Sequence, residues 1–252
     1  MQREKDRIKL RLICTSDLHA HIRPFDYVRD KPVPQRGLSV IAPLIEQARC
    51  EAPNSLLLDN GDCLQGSPLA DLQAKHMSDG GQTTHPMIAA MNQLGYDAAT
   101  LGNHDFNYGL PVLEQAIAQA SFPHVIANIV RKRGNSPAED EFVAPPYTLL
   151  RLPLGAPPGD PRSLTVGVLG LAPERTIEWD RYHLRGRAEA RGILKSAAFW
   201  VPAMRAQGAE VVVALCHSGP GRPEAPNDEE DAALAVAALT GVDAVVSGHT
   251  HK

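Results

Sequence analysis

Five short polar segments carry residue types that can hold metal ions. They are Asp17-Leu18-His19, Asp59-Asn60-Gly61-Asp62, Gly102-Asn103-His104-Asp105, Cys216-His217-Ser218-Gly219 and Gly248-His249-Thr250-His251. Asp17, His19, Asp62, Asn103, His217, His249 and His251 together offer carboxylate, amide and imidazole donors. Such mixed N/O ligands suit Mn, Zn, Fe or Co better than Mg or Ca, which favour oxygen. These side chains are too many for one ion and can hold two if a carboxylate bridges them, as in two-metal phosphatase sites. Asp62 is the natural bridge, because the adjacent Gly61 lets the backbone turn sharply. Two divalent ions, less Asp17, Asp62 and a hydroxide, leave about one positive charge, which attracts a phosphate ester. A calcium-storing site would recruit more carboxylates. The chemistry expected is hydrolysis of a phosphate ester by metal-activated water.

Each segment alone has a bland explanation. A single histidine beside a strand is more often a hydrogen-bonded structural group than a ligand, and Gly-Asn-His-Asp is good turn chemistry. The coincidence of all five is what argues for a site. His21 reads as a loop residue near that site, and His76, His85, His124 and His183 as structural or surface groups. Cys63 and Cys216 flank expected ligands and should point away from them, since side chains alternate along extended backbone. All four cysteines (Cys14, Cys50, Cys63, Cys216) lack CxxC spacing and read as small buried apolar residues, with their disulfide state open.

Elements able to position these segments follow from the apolar pattern. Strands are expected near Lys9–Thr15, Ser55–Asp59, Ala98–Leu101, His124–Asn128, Leu164–Leu169, Glu210–Leu215 and Asp243–Ser247. Helices are expected near Leu38–Glu51, His85–Leu94, Leu110–Ala120, Glu189–Gln207 and Asp228–Thr240. Gly95 and Gly208 stand where a left-handed helix cap wants glycine. The stretches Arg131–Asp140 and Pro153–Arg162 read as surface loops. This alternation predicts an α/β fold. Every polar segment follows a strand at its carboxyl end, the edge where open α/β sheets bind ligands.

With 252 residues, 43% hydrophobic and 21% charged, the chain can bury a full core. A net charge of -4 gives no broad basic footprint, so a nucleic-acid polymer is not the expected partner. No apolar run is long enough to span a membrane, and the charged start does not read as a signal peptide, which leaves either a cytoplasmic protein or one whose leader has been removed as the expectation. Oligomeric state leaves no mark on the sequence.

The five segments, as D-x-H, G-D, G-N-H-D, H and G-H-x-H, resemble the calcineurin-like metallophosphoesterase superfamily over nearly the whole chain. Asp59–Asp71, the run TLGNHDFNYGL and Phe25–Pro32 (FDYVRDKP) are similar to the bacterial 2',3'-cyclic-nucleotide 2'-phosphodiesterase/3'-nucleotidase group of the 5'-nucleotidase family. The resemblance implies a layered αββα β-sandwich flanked by helices, with the metal site at the carboxyl ends of strands. It implies two divalent ions: Asp17, His19 and His251 on the first, Asn103, His217 and His249 on the second, and Asp62 bridging. His104 would be the catalytic imidazole beside the phosphate, and Asp105 would orient and charge it. The substrate implied is a small nucleotide. Residues 1–252 are then expected to be one catalytic domain, truncated before a nucleotide-recognition domain. A periplasmic setting is implied, with a cytoplasmic one as the alternative. A 5'-nucleotidase or nucleotide-sugar hydrolase, or a metal-binding domain without activity, are the competing readings.

Overall fold

The computed structural model describes residues 8–154, 162–222 and 230–251. Two four-stranded sheets form its centre. The first contains β1 (Arg11–Thr15), β2 (Ser55–Asp59), β3 (Ala98–Thr100) and β4 (His124–Val125), adjacent in that order and all parallel. The second contains β5 (Tyr147–Pro153), β6 (Ser163–Leu171), β7 (Val211–Cys216) and β8 (Ala244–Ser247). Its spatial order is β8-β7-β6-β5, parallel except for β5, which runs antiparallel to β6.

The sheets pack face to face. Leu56, Leu58, Ala98 and Val125 of the first meet Val166, Val168, Val213 and Leu215 of the second in one apolar cluster. The opposite face of the first sheet, with Leu57 and Ala99, is covered by α1 (Leu38–Glu51), α2 (Pro68–Ser78), α3 (Pro86–Leu94) and α4 (Leu110–Ala118). The outer face of the second, with Val212, Ala214 and Cys216, is covered by α5 (Ile193–Ala206) and α6 (Ala233–Ala237). This is the expected helix–sheet–sheet–helix layering. It explains why β2 and β7 read as continuous apolar runs, since both of their faces are buried. Gly170 lies at a close approach between the sheets: a Cβ there would lie 2.0 Å from the Val125 carbonyl oxygen. Ala127 N–H donates across the same gap to the Gly170 carbonyl at 2.8 Å.

Local chemistry sets most helix ends. Ser67 caps α2 by accepting from Ala70 N–H, with Pro68 in the first turn. The His85 ring accepts from Met87 N–H at the start of α3, and Gly95, at φ 65°, ends that helix left-handed. The sequence reading departs from the fold in several places. The strand expected at His124–Asn128 stops at Val125, because Ile126 and Ala127 turn their N–H groups to Pro145 and Gly170. The helix expected from Glu189 begins at Ile193, because Glu189 and Ala190 pair with Val130 and Ile129. Helix α6 is shorter than expected, and the start proposed at Asp228 lies outside the described residues. Ile129–Lys132 is a strand where a loop was expected to begin at Arg131, and positions 155–161 of the second expected loop are not described. Strand β5 and helix α2 were not anticipated. Nor are all four cysteines buried: Cys14 and Cys50 are exposed, and all four are free thiols.

His124, in β4, packs against Phe122 with ring centroids 5.1 Å apart, and neither of its ring nitrogens is hydrogen-bonded. Burial lowers its pKa to about 4, and burial likewise lowers that of His85 to about 4. Between pH 4 and 6.5 the unfolded chain therefore binds more protons at these positions than the folded one. Their contribution is complete above pH 6.5 and is lost as pH falls toward 4, by about 3 kcal/mol per histidine. Replacing His124→Phe should flatten this acid sensitivity. In metal-free protein, the urea midpoint should fall less between pH 7 and pH 5 for the variant than for the parent; equal falls would contradict the assignment.

Candidate metal centre

The carboxyl ends of β1, β2, β3, β7 and β8 meet at one edge of the sandwich and deliver the five polar segments together. The loops after β1 and β2 run side by side: Asp17, His19 and Ala20 donate their N–H groups to the carbonyls of Gly61, Asp62 and Cys63 at 3.0, 2.8 and 3.0 Å. The loops after β2 and β3 are locked by two carboxylates acting in opposite directions. Asp105 accepts the N–H groups of Asp62, Gly102, Cys63 and Leu64 at 2.8, 2.8, 2.9 and 2.9 Å. Asp62 in turn accepts His104 N–H at 2.7 Å. A Cβ on Gly102 would lie 2.2 Å from Asp62 Oδ1, so only glycine permits this approach.

Two donor groups result. Asp17, His19 and His251 form one, and Asp62, His217 and His249 the other; within each, the potential ligand atoms lie within 4.8 Å of one another. The groups abut, with His217 Nε2 2.9 Å from Asp62 Oδ2 and 3.8 Å from Asp17 Oδ1. His251 Nε2 lies 3.2 Å from Asp17 Oδ1 and 3.3 Å from His19 Nε2. Asp62, the expected bridge, falls in the second group, where its Oδ2 faces His217. Asn103 is buried beside them, and its Oδ1 has no hydrogen-bond partner.

The arrangement fits a pair of cations on several grounds. Asp17 Oδ1, Asn103 Oδ1 and His217 Nε2 are buried polar atoms with no properly aligned hydrogen bond, a costly condition unless something else satisfies them. His217 Nδ1 meets the Asn60 carbonyl at 2.7 Å and His19 Nδ1 meets that of Gln65 at 3.1 Å. Donation there leaves each Nε2 lone pair facing the centre, the usual support for a metal-binding imidazole. The local field also favours positive charge. Burial alone would lower the His217 pKa, but Asp62 and Asp17 outweigh it and raise it to about 9. Burial likewise opposes the charge of Asp62, but His217 and His104 leave its carboxyl below the ordinary range.

Backbone strain concentrates here as well. Asp17, His19, Asp62, His249 and His251 all have positive φ, between 47° and 72°. Non-glycine residues in that region cost about 1–3 kcal/mol each when strained, and such strain gathers at functional sites.

His104 borders the first group, its ring centroid 5.3 Å from that of His19. Its expected partner is corrected by the structure. Asp105 spends both carboxylate oxygens on backbone N–H groups, whereas His104 Nδ1 faces Asn107 Oδ1 at 2.7 Å. Asn107 Nδ2 then donates to Asp180 Oδ2 at 2.6 Å. Sequence reasoning missed Asn107, although its spacing of three from His104 within a helical turn was a usable signal. It also missed Trp179, stacked on His249 with centroids 5.5 Å apart, and Glu230, 3.4 Å from His249 Nε2; neither carries a local sequence signal. His21 stands outside both donor groups and lines an adjoining cavity of about 530 Å³ with Arg36, Gln35 and His251. Cys63 and Cys216 are fully buried thiols whose pKa values burial raises, outside the two groups.

The calcineurin-like phosphoesterase family matches residues 10–252. A 2',3'-cyclic-nucleotide 2'-phosphodiesterase/3'-nucleotidase of Haemophilus influenzae is 38% identical over 252 residues, which is 100% of this chain and 37% of that protein. The trifunctional nucleotide phosphoesterase protein YfkN of Bacillus subtilis is 39% identical over 249 residues, covering 97% of this chain and 17% of that protein. A crystal structure of calcineurin-like phosphoesterase YfkN from Bacillus subtilis superposes with a TM-score of 0.87 at 38% identity, over 96% of this chain and 72% of that one. The chain thus spans little more than a third of the length of these curated relatives, or less.

If Asp105 is what holds the loops in register, Asp105→Ala should damage stability and metal binding together. Thermal unfolding should show a loss of about 3 kcal/mol or more, from the orphaned N–H groups. Element analysis should find fewer than two ions per chain. A variant that kept its stability and both ions would refute this role.

Proposed function

The chain belongs to the calcineurin-like phosphoesterase family, and on that premise we propose that residues 1–252 are the catalytic domain of an enzyme that hydrolyses 2',3'-cyclic nucleotides and then 3'-nucleotides. The observation that carries this reading is the pair of abutting donor groups with His104 at their border. Pure metal storage needs no imidazole in that position. The substrate class rests on the names of the relatives, at 38–39% identity.

Two divalent ions would activate water and neutralise phosphoryl charge when bound. Asp17, His19 and His251 would hold one, and Asn103, His217 and His249 the other, with Asp62 between them. The Nδ1–H bonds of His19 and His217 to backbone carbonyls orient those rings in advance. Water attacks phosphorus and the bond to O2' breaks. His104 delivers a proton from Nε2 to that departing oxygen, leaving the 3'-phosphate. Nε2 regains a proton, released by the attacking water, through solvent; a second water then attacks, the bond to O3' breaks, and the same nitrogen protonates O3' to yield nucleoside and inorganic phosphate. General acid help of this kind contributes about 10²–10⁴-fold.

No helix among the described residues is long and apolar enough to cross a membrane. A periplasmic setting and a role in nucleotide catabolism belong to the same proposal for the full-length protein. Cell fractionation that finds the activity only in the cytosol would remove that part.

Purified protein loaded with Mn or Zn should turn over bis(4-nitrophenyl) phosphate, 2',3'-cyclic AMP and 3'-AMP. A clear preference for 5'-AMP would overturn the substrate assignment. Metal-loaded protein inert toward every ester would overturn the enzymatic one. Two variants separate the roles. Asp62→Ala should lose metal and activity together, whereas His104→Ala should keep its metal and lose about 10²-fold or more in kcat on 2',3'-cyclic AMP.

A further inference from the structure

The His104–Asn107–Asp180 chain joins the two halves of the sandwich. Asn107 follows the 3₁₀ turn Asn103–Phe106 after β3, in the first sheet's half. Asp180 lies 73 residues further on, between the short helices Thr176–Trp179 and Arg181–Leu184 that follow β6 of the second sheet. The N–H groups of His183 and Leu184 donate to the Asp180 carbonyl at 2.9 Å each, which anchors its backbone.

The hydrogen-bond chemistry of this chain has a fixed direction. A carboxylate only accepts, so the Asn107 group 2.6 Å from Asp180 Oδ2 is the amide NH₂. The amide oxygen therefore faces His104 Nδ1 at 2.7 Å. An amide oxygen cannot donate, so Nδ1 of His104 carries the hydrogen, and Nε2 is left to exchange protons with a ligand. Asp105, next in sequence to His104, cannot take this part, because backbone N–H groups engage both of its oxygens. The partner at position 107 is also neutral, so the ring is oriented without a second negative charge beside the Asp62 cluster.

We propose that Asn107 and Asp180 are positioning residues that fix the tautomer and orientation of His104, so that Nε2 faces the leaving oxygen of the substrate. The proposal rests on the phosphoesterase reading above and deepens it. It predicts a dependence on leaving group. Nitrophenolate departs without a proton, whereas the ribose O2' needs one, so loss of the relay should act selectively on the sugar ester.

The test compares kcat and KM for 2',3'-cyclic AMP and bis(4-nitrophenyl) phosphate in metal-loaded enzyme, with metal content and thermal unfolding measured alongside. Asn107→Leu should lower kcat on 2',3'-cyclic AMP by about 10²-fold, with KM and metal content unchanged, and should cost less than about fivefold on the nitrophenyl ester. Asp180→Leu should behave the same way. The exchanged pair Asn107→Asp with Asp180→Asn rebuilds a donor–acceptor chain and should restore activity to within about tenfold of the parent. Equal losses on both esters, a fall in metal content, or an exchanged pair no better than Asn107→Leu would overturn the relay. Histidine ¹⁵N spectra of the Zn-loaded parent supply a readout independent of turnover: a His104 proton on Nδ1 is expected, and a neutral ring protonated at Nε2 would overturn the relay. A parent inert toward both esters with its His104 proton on Nδ1 would defeat the phosphoesterase reading, not the hydrogen-bond assignment.

Discussion

The architecture of this edge depends on one buried carboxylate. Asp105 gathers four N–H groups from two separate loops, and Asp62 returns a bond to the second loop. Those N–H groups are fully desolvated, so leaving any of them unpaired would cost about 1–3 kcal/mol. The loops are therefore held by the need to satisfy backbone polarity, with no contribution required from a ligand. Asp62 and Asn103 are carried on the backbone segments that this lock fixes. The loop after β1 is added by three further backbone bonds. A metal site built this way is organised before any ion arrives, so binding need not meet the cost of ordering its own loops.

Preorganisation has a cost of its own. Carboxylates crowded at one edge repel, and their neighbouring imidazoles are aimed at a common centre with little water to screen them. Five of the expected ligands occupy left-handed backbone that bulky residues avoid. The helix–sheet–sheet–helix layers offset this strain. Apolar clusters lie between the sheets and on both outer faces, and the close approach at Gly170 fixes the sheets against each other. The rigid part of the molecule is the sandwich, and the strained part is the line of loops it carries.

Between these parts lies a layer that the short motifs do not encode. Trp179 stacks on His249, Arg175 lies 5.4 Å from the Trp179 ring and pairs with Glu230, and Glu230 reaches His249. Asn107 and Asp180 treat His104 in the same manner. In both cases the loop that follows β6 reaches a histidine of a polar segment, directly through Trp179 and by way of Asn107 through Asp180. That loop contributes none of the expected ligands, yet it supports imidazoles on both sides of the edge.

The sequence by itself determined most strands of the two sheets, the edge they point to and the polar segments that follow them. A buried parallel strand reads as a continuous apolar run, and the polar residues just beyond its carboxyl end have few other places to go. Strands at Ser55–Asp59 and Val211–Cys216 and helices at Leu38–Glu51 and Leu110–Ala118 were legible on those grounds, whereas the division of histidines between two donor groups came only from the family resemblance. Only the tertiary structure decided what each polar group does once there. Asp105 spends its carboxylate on locking two loops, and the side chain that faces His104 Nδ1 is Asn107, two residues on in sequence. The early end of β4 and the strand at Glu189–Ala190 were likewise decided by partners far along the chain. The reason is physical: apolar periodicity is a property of neighbouring residues, whereas a hydrogen bond is defined by whichever donor and acceptor the fold brings within about 3 Å.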